Sequence, residues 1–262
     1  MLENKEIKLV FFDIDDTLIV KDTQYMPASV SLAIAKLKAN GVKIGIASGR
    51  TRFGVVPRVE ALDPEIYVTT NGQYVVTNKG ELIYENPIPQ EVVREFVNWC
   101  DTVDVDYGFA GSEKCVVSKW SDVVRDAIDV VYGKIDIEPD FYMRHEVYQM
   151  WTFSEKRNED QLPTQLAAVL NIVRWHKNSC DFFPINGSKA KGIQKVLDQL
   201  NLSPENIIVF GDGLNDIEMF KHAGFTVAMG NAHPDLLQYA DFVTTDIDKD
   251  GIKNALEVLG LI

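Results

Sequence analysis

Two rhythms alternate along the chain. Short, nearly continuous apolar runs occupy residues 7–13 (IKLVFFD), 43–47 (KIGIA) and 66–69 (IYVT), and again 207–210 (IIVF), 225–229 and 242–244. Between them lie segments whose apolar residues recur at helical spacing. Val30, Ala33, Ile34 and Leu37 do so within 27–40, and Ile193, Val196, Leu197 and Leu200 within 189–200. Steps of three and four put those side chains on one helix face, whereas an unbroken apolar run suits a strand buried on both sides. Pro27 fits the first turn of its helix and Gly41 the end. Residues 216–223, 234–239 and 251–259 read as further helices. Strands and helices in alternation predict an α/β fold, a parallel sheet covered by helices on both faces.

The middle of the chain breaks this rhythm. A hairpin is predicted from 74–76 against 82–84 across Asn78-Lys79-Gly80, then a helix at 90–100 and a longer helix at 161–170. Residues 83–184 therefore read as an inserted α+β domain, dividing a core built from 1–82 and 185–262. No internal repeat or low-complexity tract marks the borders.

Composition narrows the partners. A chain of 262 residues has ample length for a buried core, and its formal charge is −13. Such a surface repels nucleic-acid backbones and anionic membranes, and no apolar run is long enough to cross a bilayer. The opening MLENKEIKLVFFD lacks the basic start, long apolar stretch and cleavage site of a signal peptide. Cys100, Cys115 and Cys180 are odd in number and widely spaced, as free thiols of a reducing compartment would be. The expectation is a cytoplasmic protein, monomeric or weakly self-associating, with no nucleic-acid or membrane partner. An anionic substrate would need a local cation or metal to be attracted.

Four segments carry candidate chemistry, each where a predicted strand ends or the next helix starts. Asp13-Ile14-Asp15-Asp16-Thr17 follows the first strand. Alternate side chains of an extended chain share a side, so Asp13 and Asp15 can approach one reacting group, one attacking and the other moving protons. Taken alone, the same residues also suit an acidic turn in which Asp16 or Thr17 caps local backbone. Ser48-Gly49-Arg50 offers a hydroxyl and open amides for phosphate oxygens, or a helix cap. Lys189 and Lys191 open a helix, where positive charge is mildly unfavourable unless an anion lies nearby; both also suit a solvated surface. Gly211-Asp212-Gly213-Leu214-Asn215-Asp216 has the hard oxygen donors that Mg²⁺ takes. Two features carry no such expectation. Asp246, Asp248, Asp250, Gly251 and Glu257 match the EF-hand loop pattern but follow a strand-like segment, and His145, His176, His222 and His233 lack metal-ligand spacing.

In this order the four segments resemble the motifs of the haloacid dehalogenase superfamily, and more narrowly of the Cof-type phosphatases with a large C2-type (C2B) cap. DIDDT is similar to the family's first motif, ASGR to the second, SKAKGI to the third and GDGLND with Ile217-Glu218-Met219-Phe220 to the fourth. Met229-Gly230-Asn231-Ala232 and Asp250-Gly251-Ile252 also resemble stretches of that subfamily. The resemblance implies a Rossmann-like core with an inserted cap, and a Mg²⁺-dependent phosphatase acting on a small phosphorylated metabolite through a phospho-aspartate. It implies Asp13 as nucleophile, Asp15 as general acid and then base, and Lys189, which matches the family spacing better than Lys191, as the phosphate-neutralising cation. Ser48, Gly49 and Asn215 would bind the phosphoryl group. Mg²⁺ would be held by the Asp13 carboxylate, the Asp15 carbonyl and Asp212, with Asp216 contributing through water or by fixing Lys189. A sugar phosphomutase using the same aspartate pair is the alternative. Trp120, Tyr142, Arg144, His145 and Trp151 are candidates for a cap pocket, although aromatics there also suit a core.

Overall fold

The computed structural model describes Leu2 and residues 5–262, the side chain of Val130 aside. Met1, Glu3 and Asn4 of the polar lead-in lie outside the described residues. In chain order the elements are β1 (Leu9–Phe12), α1 (Ala28–Ala39), β2 (Lys43–Ala47), α2 (Pro57–Glu60), β3 (Ile66–Thr69), β4 (Tyr74–Thr77) and β5 (Leu82–Glu85). Then come α3 (Gln90–Thr102), β6 (Asp106–Ala110), β7 (Cys115–Val117), α4 (Asp122–Tyr132), β8 (Asp136–Ile137), β9 (Gln149–Phe153), α5 (Thr164–Ala167), β10 (Leu170–His176) and β11 (Ser179–Pro184). The chain closes with α6 (Lys189–Leu200), β12 (Ile207–Gly211), α7 (Ile217–His222), β13 (Phe225–Ala228), α8 (Pro234–Leu237), β14 (Phe242–Val243) and α9 (Gly251–Val258). Two compact units result: residues 1–49, 55–84 and 188–262 form the first, and 50–54 with 85–187 form the second.

The first unit is built on an eight-stranded sheet of order β14-β13-β12-β1-β2-β3-β4-β5. Strands β14 through β3 run parallel, and the hairpin of β4 and β5 adds an edge that begins antiparallel to β3. Strands β1, β3, β12 and β13 are buried from end to end because both faces are covered. Val10 and Phe12 of β1 pack with Ile34 and Leu37 of α1 and Ile252 and Leu256 of α9. Leu9 and Phe11, one residue out of phase, pack with Ile193, Val196 and Leu197 of α6 and Met219 and Phe220 of α7. Period-two side chains thus serve two helix layers. Pro27 stands at the N-cap with extended backbone, one residue ahead of the helix whose first turn it was expected to occupy.

The second unit is a six-stranded, mostly antiparallel sheet of order β10-β11-β9-β6-β7-β8. Phe96 and Cys100 of α3 pack with Phe109, Met150 and Phe182, and α4 packs through Val124 and Ile128 with Trp151 and Phe153. The long helix expected at 161–170 does not form. Pro163 has no N–H to donate, and its ring pushes Leu162 out of helical backbone, to ψ 131°. A 3₁₀ turn over Asn158–Gln161 precedes it, α5 is confined to Thr164–Ala167, and β10 starts at Leu170.

The helix layer of the first unit can be tested on α1, where Ile34 is 1 % exposed and Leu32 68 %. Ile34→Ala is expected to cost about 2–5 kcal/mol and Leu32→Ala to stay within about 0.5 kcal/mol. Urea unfolding followed by tryptophan fluorescence and circular dichroism checks both.

Candidate active site

The parallel strands share one carboxyl edge, and the sheet order reverses at β1: β2 lies on one side and β12 on the other. Such a reversal opens a crevice beyond the strand ends, where α/β sheets bind ligands. Asp13 sits there, directly after β1, with its N–H donating to the Phe210 carbonyl of β12 at 3.0 Å. Asp212 and Asp216 follow β12. Oxygens of Asp13, Asp212 and Asp216 lie within 4.8 Å of one another, and among the described residues no other group of three acidic, histidine or cysteine side chains gathers so closely.

Lys189 enters this acidic group from the first residue of α6. Its side chain is fully buried, and its Nζ donates to Asp13 Oδ1 and to Asp216 Oδ1, each at 2.6 Å. Ser188 caps the helix by accepting the Lys191 N–H, so the helix start is fixed independently of the lysine. Burial works against the ammonium, but Asp13 and then Asp216 outweigh it and hold Lys189 above its usual pKa. Burial pushes Asp13 up to about 7; Lys189 pulls the other way, and Asp216 and Asp15 add to the rise. Asp212 is raised well above the carboxylate range by its low-dielectric surroundings and then by Asp13 and Asp216.

The remaining bonds set which carboxylate can do what. Asp216 is fully engaged: Oδ1 accepts from Lys189, and Oδ2 accepts the N–H groups of Asp212 and Gly213 at 3.0 and 2.9 Å. It shapes the loop and orients the lysine. Asp212 Oδ1 accepts from the Thr17 hydroxyl at 3.0 Å, tying the loop after β12 to the loop after β1. Asp15 is half-buried beside them. Ser48 is buried at the end of β2, with its N–H on the Val68 carbonyl at 2.8 Å, and Asn215 donates to Asn71 Oδ1 at 3.1 Å. The structure therefore gathers Asp13, Lys189, Asp212 and Asp216 into one bonded group, with Ser48, Gly49 and Asn215 on neighbouring loops of the same unit.

Several residues take supporting roles that the sequence does not signal. Thr17 serves Asp212 and not only local backbone, and Asn71 contacts Asn215. Asn231 donates to the Asp16 carbonyl at 2.8 Å and accepts from the Ile247 N–H at 2.9 Å. The acidic stretch after 245 is thereby a brace for the loop after β1. Asp246 pairs with Lys249, and Glu257 with Lys253. In the second unit, Tyr142, Arg144 and His145 help line a cavity of about 500 Å³, whereas Trp151 is core and Trp120 packs beside α4.

The donor set fits a hard divalent cation. The gathered side-chain donors are carboxylate oxygens, and one ammonium among three carboxylates leaves a formal excess of two negative charges. A testable consequence concerns the metal-free protein. Asp13 is raised from 3.8 to about 7, so its contribution to stability is fully present below pH 3.8 and is lost as pH rises through about 7. In chelator, the urea midpoint should decline across that window, and Asp13→Asn should flatten the decline.

Comparison with known proteins agrees with the geometry. A family-wide sequence profile of haloacid dehalogenase-like hydrolases matches residues 10–256. A Streptococcus pyogenes protein named for phosphatase and peptidyl-prolyl cis-trans isomerase functions is 50% identical over 98% of this chain, which spans 55% of that protein's length. A Bacillus subtilis protein named as the phosphatase YkrA is 36% identical, covering 97% of this chain and 98% of its own. Among solved structures, a sugar phosphatase of HAD subclass IIB superposes with a TM-score of 0.88 at 32% identity, over 97% of this chain and 100% of its own. A match of that extent, on a chain whose motif residues Asp13, Ser48, Lys189 and Asp212 lie in one unit, places this protein in the haloacid dehalogenase-like hydrolase family.

Proposed function

We propose that this protein is a Mg²⁺-dependent phosphatase that cleaves the monoester of a small phosphorylated metabolite, a sugar phosphate or similar compound, through a phospho-aspartate on Asp13. The observation that carries the proposal is the buried Lys189 ammonium held 2.6 Å from Asp13 Oδ1 and 2.6 Å from Asp216 Oδ1. A carboxylate anchored through one oxygen keeps the other for attack, and a cation beside it counters the repulsion between two anions. The phosphatase names of the relatives and the sugar phosphatase among the solved structures agree with this reading.

In the proposed reaction Asp13 attacks phosphorus as the bond to the ester oxygen breaks. Asp15, as general acid, delivers its proton to that oxygen. It then takes a proton from the water that attacks the acyl phosphate, which frees orthophosphate and restores the Asp13 carboxylate. Lys189 stays charged throughout and steadies the transferring oxygens; Ser48, the Gly49 amide and Asn215 orient them. The Asp13 and Asp212 carboxylates, with the Asp15 carbonyl, would hold Mg²⁺, which supplies electrostatic stabilisation of the phosphoryl group when bound. Asp216, whose oxygens are already engaged, serves through Lys189 and the loop amides. The three buried, unpaired cysteines agree with a cytoplasmic setting.

Phosphate release from a panel of sugar phosphates, nucleotides, FMN and pyridoxal phosphate tests the proposal. Activity should require Mg²⁺ and vanish with chelator, and orthophosphate should appear in stoichiometric amounts; conversion of a sugar phosphate into its isomer would instead mark a mutase. Asp13→Asn should leave no turnover, with mass spectrometry excluding deamidation back to Asp. Asp15→Asn should lower kcat by about 10²–10⁴-fold, most severely for esters with poor leaving groups.

A further inference from the structure

Three consecutive residues after β3 adopt left-handed backbone: Thr70 at φ 50°, Asn71 at φ 53° and Gly72 at φ 87°. Positive φ is an outlier for a β-branched residue, and such conformations persist only where surroundings impose them. Thr70 does not hold itself there, because its Oγ1 is buried with no hydrogen-bond partner. The constraint comes from what the segment touches. The Asn71 N–H donates to the Ser48 carbonyl at 3.0 Å. The Asn71 amide turns its nitrogen and oxygen toward Gly49, where a Cβ would come within 3.3 Å of both Nδ2 and Oδ1. Its Oδ1 accepts from Asn215 at 3.1 Å. Gly72 abuts the start of α6 so closely that a Cβ would meet the Ser188 carbonyl at 2.0 Å and the Lys189 nitrogen at 3.0 Å. One strained turn therefore reaches three of the four motif loops.

We propose that Asn71 is a positioning residue: it locks the Ser48–Gly49 backbone and the Asn215 amide into register with Lys189. The proposal rests on the phosphatase reading of this site. The residue type follows from the demands. Asparagine tolerates left-handed backbone, its carbonyl oxygen can accept from Asn215, and it adds no charge beside an already acidic group. Aspartate would keep the acceptor but place another anion next to the phosphoryl position, and glycine would keep the backbone but lose the amide.

The test compares Asn71→Gly, Asn71→Asp, Asn215→Ala and the Asn71→Gly/Asn215→Ala double variant, with the intact chain and Mg²⁺. Asn71→Gly should fold, with kcat reduced about 10- to 100-fold and KM raised about tenfold, because misplaced phosphoryl-binding groups weaken ground-state binding and the transition state still more. Asn71→Asp should be at least as impaired. The double variant should lose less than the product of the two single losses, because both substitutions break the Asn71–Asn215 contact. Turnover of Asn71→Gly within about twofold of wild type, or losses that multiply in the double variant, would overturn the proposal. Should wild type hydrolyse no ester, the phosphatase reading fails first. Calorimetry with orthophosphate then decides Asn71: binding weakened about tenfold or more in Asn71→Gly supports the positioning role, and equal affinity, or none in wild type, removes it.

Discussion

An ammonium buried between two carboxylates is the contact on which the site depends. Lys189 has no access to water, so its charge is tolerable only because Asp13 and Asp216 accept from it. The same carboxylates crowd Asp212, so the group is acidic beyond what one lysine can balance. That imbalance is a poor recipe for stability and a good one for binding a cation and an anion together. Burial raises the energy of every charge present, and each added counter-charge then relieves its neighbours.

The fold holds this costly arrangement by distributing it. Asp13 belongs to the loop after β1, Lys189 to the start of α6, and Asp212 and Asp216 to the loop after β12. Each loop is pinned by at least one bond outside the charged group. Thr17 holds Asp212, Asn231 holds the Asp16 carbonyl, and the Asp212 carbonyl accepts from the His233 N–H at 2.8 Å. Asp216 closes its own loop through two amides. The strands beneath supply rigidity, their side chains filling two helix-covered faces, with Phe12 and Phe210 stacked at 4.8 Å immediately below the loops.

The sequence reveals what periodicity and end signals encode. The helix over 189–200 and the strand over 43–47 are found with the bounds that their apolar spacing suggests, because one buried face or two buried faces decide them. The acidic and lysine motifs were legible because polar residues at the ends of fully apolar runs are conspicuous. The second unit was harder. Strands β9 and β11 are buried on both faces, so alternation is blurred; β9 reads as QMWTF, buried from end to end. Helix α4 was missed although Val124, Ala127 and Ile128 recur at helical spacing behind the cap Ser121, whose side chain accepts the Val124 N–H. At 161–170 apolar spacing favoured a helix and the single imino acid Pro163 prevailed. Asn71 and Thr17 were not seen as partners because their roles come from residues 144 and 195 positions away, which no local pattern records.

The pairing of β1 with β12 has a consequence for biosynthesis. Leu9 lies beside Ile207 and Phe12 beside Phe210, so the central strand waits for nearly two hundred further amino acids before its second neighbour leaves the ribosome. Until then one edge of the most apolar strand is open to any extended segment that passes. Residues 85–187, by contrast, are almost self-sufficient in sequence and can collapse as soon as they emerge. The nascent chain is thus expected to carry a finished inserted lobe on an incomplete sheet, the state in which a chaperone is most needed.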